Sequence, residues 1–161
     1  MNADGSITGD AIQVVQLESW FTHIPTHVWI GSEYGIVWQD ERSEESFEQI
    51  YFTRIDSHGE KEGGDIMLSD PMVTSRNPQV TWTGSEIGAV CANAEMDILI
   101  FHRADATGEA IGRDLELAEA TSGNGFPTDL VWTGSELGVV WVWTPFDSRN
   151  GTYFNRIGFC D

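Results

Sequence analysis

The sequence predicts an all-β fold of short antiparallel strands repeated around a common axis, and three observations predict it. One phrase occurs three times: Trp29-Ile30-Gly31-Ser32-Glu33-Tyr34-Gly35-Ile36-Val37-Trp38, then Trp82-Thr83-Gly84-Ser85-Glu86-Ile87-Gly88-Ala89-Val90-Cys91, then Trp132-Thr133-Gly134-Ser135-Glu136-Leu137-Gly138-Val139-Val140-Trp141. Its first tryptophans stand 53 and then 50 residues apart. Apolar runs are short and lie between glycine-rich turns, which favours strands over helices. In Ile36-Val37-Trp38 and Val139-Val140-Trp141, residues that point to opposite faces of a strand are all apolar. Such sheets should be covered on both faces, and no segment reads as a helix that could cover them. Sheets packed on like sheets in a ring make a β-propeller, and a period of this length suits one.

Each repeat reads as four strands. In the middle one, Gln79 to Trp82 follows Pro78 as the first strand, and the turn Thr83-Gly84-Ser85-Glu86 leads to the second, Ile87 to Ala92. The third is Ile98 to Arg103, and the turn Asp105-Ala106-Thr107-Gly108 precedes a fourth around Asp114 to Leu117. Glycine and aspartate in such turns supply positive φ and local side-chain hydrogen bonds. The third strand recurs as Tyr51-Phe52-Thr53-Arg54, Ile100-Phe101-His102-Arg103 and Tyr153-Phe154-Asn155-Arg156. The fourth recurs after Gly59 and after Gly108, and a further copy opens the chain as Gly5…Gly9-Asp10-Ala11-Ile12-Gln13-Val14. The chain therefore reads as three four-stranded antiparallel blades, circularly shifted by one strand. Residues 1–22 hold the outer strand of a closing blade, 23–76 and 77–125 two further blades, and 126–161 the inner three strands of the closing blade.

The pattern Pro-x-h-x-Trp-x-Gly-x-x-h-Gly-h-h-Trp (h, apolar), followed by Ile-Tyr-Phe-x-Arg-h-Asp-x-x-Gly, resembles bacterial repeats grouped with the sialidase-like β-propellers. The resemblance covers nearly the whole chain. It implies the fold, and a velcro-like closure in which a terminal strand pairs with strands from the other end. It implies no activity. The Asp-box Ser-x-Asp-x-Gly-x-x-Trp does not occur, and the family's catalytic set of three arginines, a tyrosine and an acid is not identifiable. Arg54, Arg103 and Arg156 occupy one equivalent position per repeat, so a bracing role is expected for them.

Propellers have ~4–8 blades. Three blades in an open stack would expose two apolar faces of roughly 300–400 Å² each, more than a soluble monomer tolerates. Two chains would make a six-bladed ring, each N-terminal strand completing its partner's last blade in a homodimer. The alternatives are a fragment of a longer propeller or half of a heteromer.

The chain has 161 residues, one domain's worth. With 8 basic against 26 acidic residues, it carries a net charge of −18. Nucleic acid is excluded as an expected partner, because binding it rests on cationic contacts to phosphate. No apolar run is long enough for a membrane helix, and no basic-plus-apolar leader follows Met1, so a soluble protein without membrane contact is expected. Cys91 takes the place of Trp38 and Trp141 and should face the core; Cys160 lies near the end of the sequence.

Loops joining the second to third strands, and fourth to first, share one end of the architecture, and there the repeats diverge. Irregular loops on a repeated scaffold are the usual home of binding residues. The candidates are Trp20, His23, Asp40, Arg42, Arg76, Asn93, Glu95, Trp143, Asp147 and Arg149. Aromatic, acidic and amide side chains together suit a glycan or a small polar molecule. No catalytic set, metal site or cofactor is expected. Calcium is the one cation the loop acids suit, through Asp40 with Glu44 or Glu45, although no Asp-x-Asp-x-Asp-Gly loop supports it. His23, His27, His58 and His102 lack zinc spacing. The expected function is a non-catalytic binding or protein-interaction propeller. The alternatives are a glycosidase-like hydrolase, with Asp40, Glu95 and Asp147 as the loop acids to nominate, and a structural segment of a larger propeller.

Overall fold

The computed structural model describes residues 9–16, 22–42, 47–94, 98–119, 123–145 and 149–159. They form eleven strands and, among the described residues, no helix. Sheet A runs in chain order through β1 (Thr22–Trp29), β2 (Tyr34–Asp40), β3 (Gln49–Ile55) and β4 (Lys61–Met67). Sheet B repeats this with β5 (Ser75–Trp82), β6 (Ile87–Asn93), β7 (Ile98–Ala104) and β8 (Leu115–Glu119). Sheet C has three strands, β9 (Gly123–Trp132), β10 (Glu136–Pro145) and β11 (Gly151–Gly158). All pairings are antiparallel between sequence neighbours.

The first strand of the middle repeat begins earlier than the sequence suggests, at Ser75 rather than after Pro78. The register slips between Arg76 and Gln79, with Asn77 at φ 54°. Pro78 sits inside that bulge, where its missing N–H breaks no ladder bond. Sheet A has the same slip between His23 and Thr26, with Ile24 at φ 50° just before Pro25.

The turn chemistry recurs in all three sheets. Gly31, Gly84 and Gly134 adopt φ of 98°, 100° and 103°, a region open to glycine and costly for other residues. The N–H groups of Ile30, Thr83 and Thr133 donate to the carbonyls of Glu33, Glu86 and Glu136. Each of those glutamates pairs with the arginine of its own third strand: Glu33–Arg54 at 3.0 Å, Glu86–Arg103 at 2.7 Å and Glu136–Arg156 at 2.6 Å. The in-register arginines thus brace the turn between the first two strands. The first two pairs, being partly exposed, contribute about 0–1 kcal/mol each; the Glu136–Arg156 pair lies in solvent. In the turn between third and fourth strands, Asp56 accepts from the N–H of His58 and Glu60, and Asp105 from those of Thr107 and Glu109. The Glu60 N–H foremost for Asp56, and the Thr107 hydroxyl for Asp105, hold these carboxyls below the usual range.

The sheets stack A on B on C. Ile30, Val37, Ile50 and Phe52 of sheet A pack on Val80, Ile87, Cys91 and Ala104 of sheet B. The other face of B, through Val90, Ala92, Leu99 and Phe101, packs on Leu130, Leu137, Val139, Trp141 and Ile157 of sheet C. Sheet B is therefore apolar on both faces. Cys91 is buried in the first of these interfaces.

Large apolar side chains are exposed at both ends of the stack, although Trp38 and Tyr51 on the outer face of sheet A are buried. Gly35, Gly88 and Gly138 each lie under a phenylalanine of the third strand, and a Cβ there would meet the ring at 2.9, 3.0 and 3.0 Å. The three rings are equivalent in register, yet Phe52 is 0 %, Phe101 1 % and Phe154 61 % exposed. The far face of sheet C thus presents Phe154 and Val131 to solvent. The far face of sheet A presents Trp29 and Tyr34, whose rings meet edge to face at 4.8 Å.

Residues 9–16 lie beside sheet A without joining its ladder. Lys61 Nζ donates to the Val14 carbonyl at 3.2 Å, and a Cβ on Gly59 would meet the Ile12 side chain at 3.7 Å. Gly9 has φ 79°, matching Gly63 at 81°, inside β4, and Gly112 at 74°, just ahead of β8.

Candidate functional site

The connections predicted to share one end do so. The Ala94 N–H donates to the Thr74 carbonyl, and that of Ser75 to the Glu48 carbonyl, tying the loops of sheets A and B together. Gln39 bridges the same junction: its Nε2 donates to Glu48 Oε1 at 2.6 Å and its Oε1 accepts from the Asn77 N–H at 2.9 Å. Arg76 Nε forms an ion pair with the other oxygen of Glu48. Arg76 is thus engaged in joining two sheets.

Asp40 ends β2 and is fully buried. It accepts from the Trp38 indole at 2.6 Å and from Arg42 Nη2 at 2.6 Å. Arg42 Nη1 reaches Asp65 at 2.7 Å, and Lys61 meets the other oxygen of Asp65 at 2.5 Å. The guanidinium lies 4.0 Å above the Tyr51 ring and 5.6 Å from that of Trp38. Burial opposes the charge on Arg42 and on Asp65. Their hydrogen-bonding partners outweigh it, so the Arg42 pKa rises and the Asp65 pKa falls. Burial, reinforced by Asp40, raises the Tyr51 phenol.

A cavity of about 190 Å³ opens on sheet B beside the connection from β4 to β5. Ser75, Asn93, Asp70, Asp114 and Glu116 supply its polar wall, and Val73, Ile98 and Ile100 its apolar one. His102 lines it from β7 and is 5 % exposed. His102 Nδ1 lies 2.8 Å from Asp114 Oδ1 and Nε2 lies 3.3 Å from the Cys91 sulfur. The Nδ1–Asp114 contact is electrostatic: it has the distance of an ion pair without the direction of a hydrogen bond. The order thiol, imidazole, carboxylate is that of an activated nucleophile. The thiol is 1 % exposed and does not line the cavity, so no substrate in the cavity would meet it.

Burial disfavours charge on His102, but Asp114 and then the Cys91 sulfur reverse this and push its pKa up to about 10. A pKa raised above the unfolded value of about 6.5 stabilises the fold fully below pH 6.5, and that contribution fades as pH rises through 10. Unfolding free energy should therefore decline from pH 7 to pH 10 in the natural protein, and decline less in His102→Gln. An NMR titration giving His102 a midpoint near 6.5 would contradict this.

Among the other sequence candidates, Asn93 is buried at the cavity wall. His23 is exposed in β1 and has an interaction within the chain. Trp143 packs against the B–C core, and Arg149 is exposed just before β11. Trp20, Glu95 and Asp147 lie outside the described residues, as do Glu44 and Glu45 of the calcium expectation. Of the described candidates only Asp40 and Arg42 are brought into one cluster; Arg76 sits at the A–B junction, Asn93 at the cavity, Trp143 at the B–C core, His23 in β1 and Arg149 before β11. Sequence reasoning missed His102 and Asp114. The available signal was the repeat itself, in which cysteine replaces tryptophan at position 91 and histidine replaces Thr53 and Asn155 at position 102.

A second cavity, about 370 Å³, lies between sheets B and C at the opposite end, lined by Glu86, Arg103, Leu115, Trp132, Ile157 and Phe159 among others. The Arg103 guanidinium is held by Glu86 and lies 5.2 Å over the Phe159 ring. Among the described residues, no group of three or more His, Cys, Asp or Glu could hold a metal ion. Among them also, no helix is long and apolar enough to cross a membrane. No protein-family model and no curated protein matches the chain.

Proposed function

We propose that this chain is half of a six-bladed β-propeller, completed by a second copy, that binds a small polar ligand at its loop end without catalysing a reaction. The supporting observation is the exposure of Phe154 at 61 %, where its register equivalents Phe52 and Phe101 are 0 % and 1 % exposed. The far face of sheet C matches the faces that sheets A and B present to their neighbours. The far face of sheet A matches the faces that receive them. A second copy would bring each open face against its complement, and the two new contacts would close the ring. This agrees with the resemblance to sialidase-like propeller repeats.

The cavity on sheet B beside the β4–β5 connection suits a polyhydroxylated ligand such as a sugar. Ser75 and Asn93 can donate, the three carboxylates accept, and Ile98 and Ile100 offer apolar contact. Thermal shift against a panel of neutral mono- and disaccharides, with and without calcium, tests this. At least one sugar should raise the melting temperature by a few degrees at saturating concentration, and Asn93→Ala should abolish the response. No response to any sugar would remove the carbohydrate reading and leave protein binding as the function to pursue.

A further inference from the structure

We infer that residues 10–14 of each copy form the missing fourth strand of the partner's sheet C, with the partner's Ile12 opposite Phe154 and the partner's Gln13 opposite Tyr153. The inference rests on the six-bladed reading and adds the segment and its register.

The argument compares two places in one chain. In the A–B contact, the turn glycine Gly108 of sheet B lies against Ile66, on the fourth strand of sheet A, and against Phe52, on its third; a Cβ on Gly108 would meet them at 3.0 and 2.6 Å. At the open face of sheet A, the equivalent turn glycine, Gly59, lies against Ile12. Counting from the positive-φ glycines Gly9, Gly63 and Gly112, Ile12 takes the position of Ile66 and Leu115. Residues 9–16 therefore stand where the fourth strand of a sheet preceding A belongs, and strands one to three of that sheet are missing from this place. Sheet C has those three strands, and the outer edge of β11 is unpaired among the described residues. A second copy that lays its sheet C on sheet A supplies the missing strands, and the segment need not move.

The register follows from the complete sheets. Phe52 pairs with Ile66 and Tyr51 with Met67 in sheet A. Phe101 pairs with Leu115 and Ile100 with Glu116 in sheet B. Phe154 and Tyr153 are the corresponding residues of β11. The second cavity fits the same arrangement. It lies beside Leu115 in the B–C contact, and Leu115 is the counterpart of Ile66, against which Gly108 is seated in the A–B contact.

The test is disulfide trapping in the full chain with Cys160→Ser. Gln13→Cys combined with Tyr153→Cys should give, on oxidation, a covalent species of twice 17.9 kDa on a non-reducing gel. Gln13→Cys combined with Arg156→Cys, out of register, should stay at the single-chain mass. Gln13, Tyr153 and Arg156 are all exposed, and circular dichroism of each variant should show the native sheet content. An internal disulfide within one chain would overturn the inference. So would the failure of Gln13/Tyr153 to cross-link in a sample that light scattering shows to be dimeric, and that outcome would leave the ring standing. A folded monomer by scattering would overturn the ring itself.

Discussion

Replacing Phe154 with glutamate should halve the mass of the assembled protein while leaving each chain folded. In the ring, Phe154 goes from 61 % exposed to the environment of Phe101, at 1 %. Full burial of a phenylalanine contributes about 1.5–3 kcal/mol relative to exposure, and symmetry supplies two such sites. A carboxylate sealed there without a partner costs several kcal/mol more, and the net charge of −18 per chain adds repulsion between copies. The fold of the single chain does not use Phe154 in its two core clusters. Circular dichroism should therefore stay native-like while light scattering reports 17.9 kDa. Phe101→Ala, the same position one sheet back, should instead cost about 3–5 kcal/mol and threaten the fold itself. If Phe154→Glu remained dimeric, the far face of sheet C would not be an interface.

Asp40→Ala should be among the most destabilising single substitutions at the loop end. Its carboxylate is fully buried and accepts from the Trp38 indole and from the Arg42 side chain and main chain. Breaking a buried pair costs about 3–5 kcal/mol. Arg42 is about a fifth exposed and keeps Asp65, so solvent and the second partner reduce the loss to about 2–4 kcal/mol. That corresponds to about 5–15 °C in melting temperature. Asp40→Asn keeps an acceptor for the indole and should recover about half. Were Asp40 a ligand-binding residue alone, the alanine variant would lose binding at an unchanged melting temperature.

Much of the sheet architecture is legible in the sequence because each repeat states it again. The Gly-Ser-Glu turn returns with the same φ at Gly31, Gly84 and Gly134, and the arginine of each third strand returns to hold the glutamate of that turn. The double-sided apolar runs Ile36-Val37-Trp38 and Val139-Val140-Trp141 belong to sheets A and C, each of which meets sheet B on one face; the sheet covered on both faces is B, whose second strand was not among those runs. The bulge at Asn77 was hidden, because Pro78 reads as a strand boundary and becomes a strand interior only once the register slips around it.

The candidate site was harder to read. Polar loop residues were nominated as ligand contacts, yet Asp40, Arg42 and Arg76 satisfy one another's neighbours within the chain. A single sequence does not say which arginine meets which carboxylate when the partners are 23 or 28 residues apart. His102 has no metal-ligand spacing in the sequence to single it out. Its meaning lies in a cross-strand neighbour, Cys91, and in Asp114, which the chain brings together only through β6, β7 and the approach to β8.

The central claim is that two copies complete one ring, and the absolute mass in solution tests it most directly. Light scattering after size exclusion, at low and moderate salt, should give one species of twice 17.9 kDa. Salt should strengthen it by screening two strongly acidic chains from each other. A folded species of 17.9 kDa at every salt concentration would contradict the account.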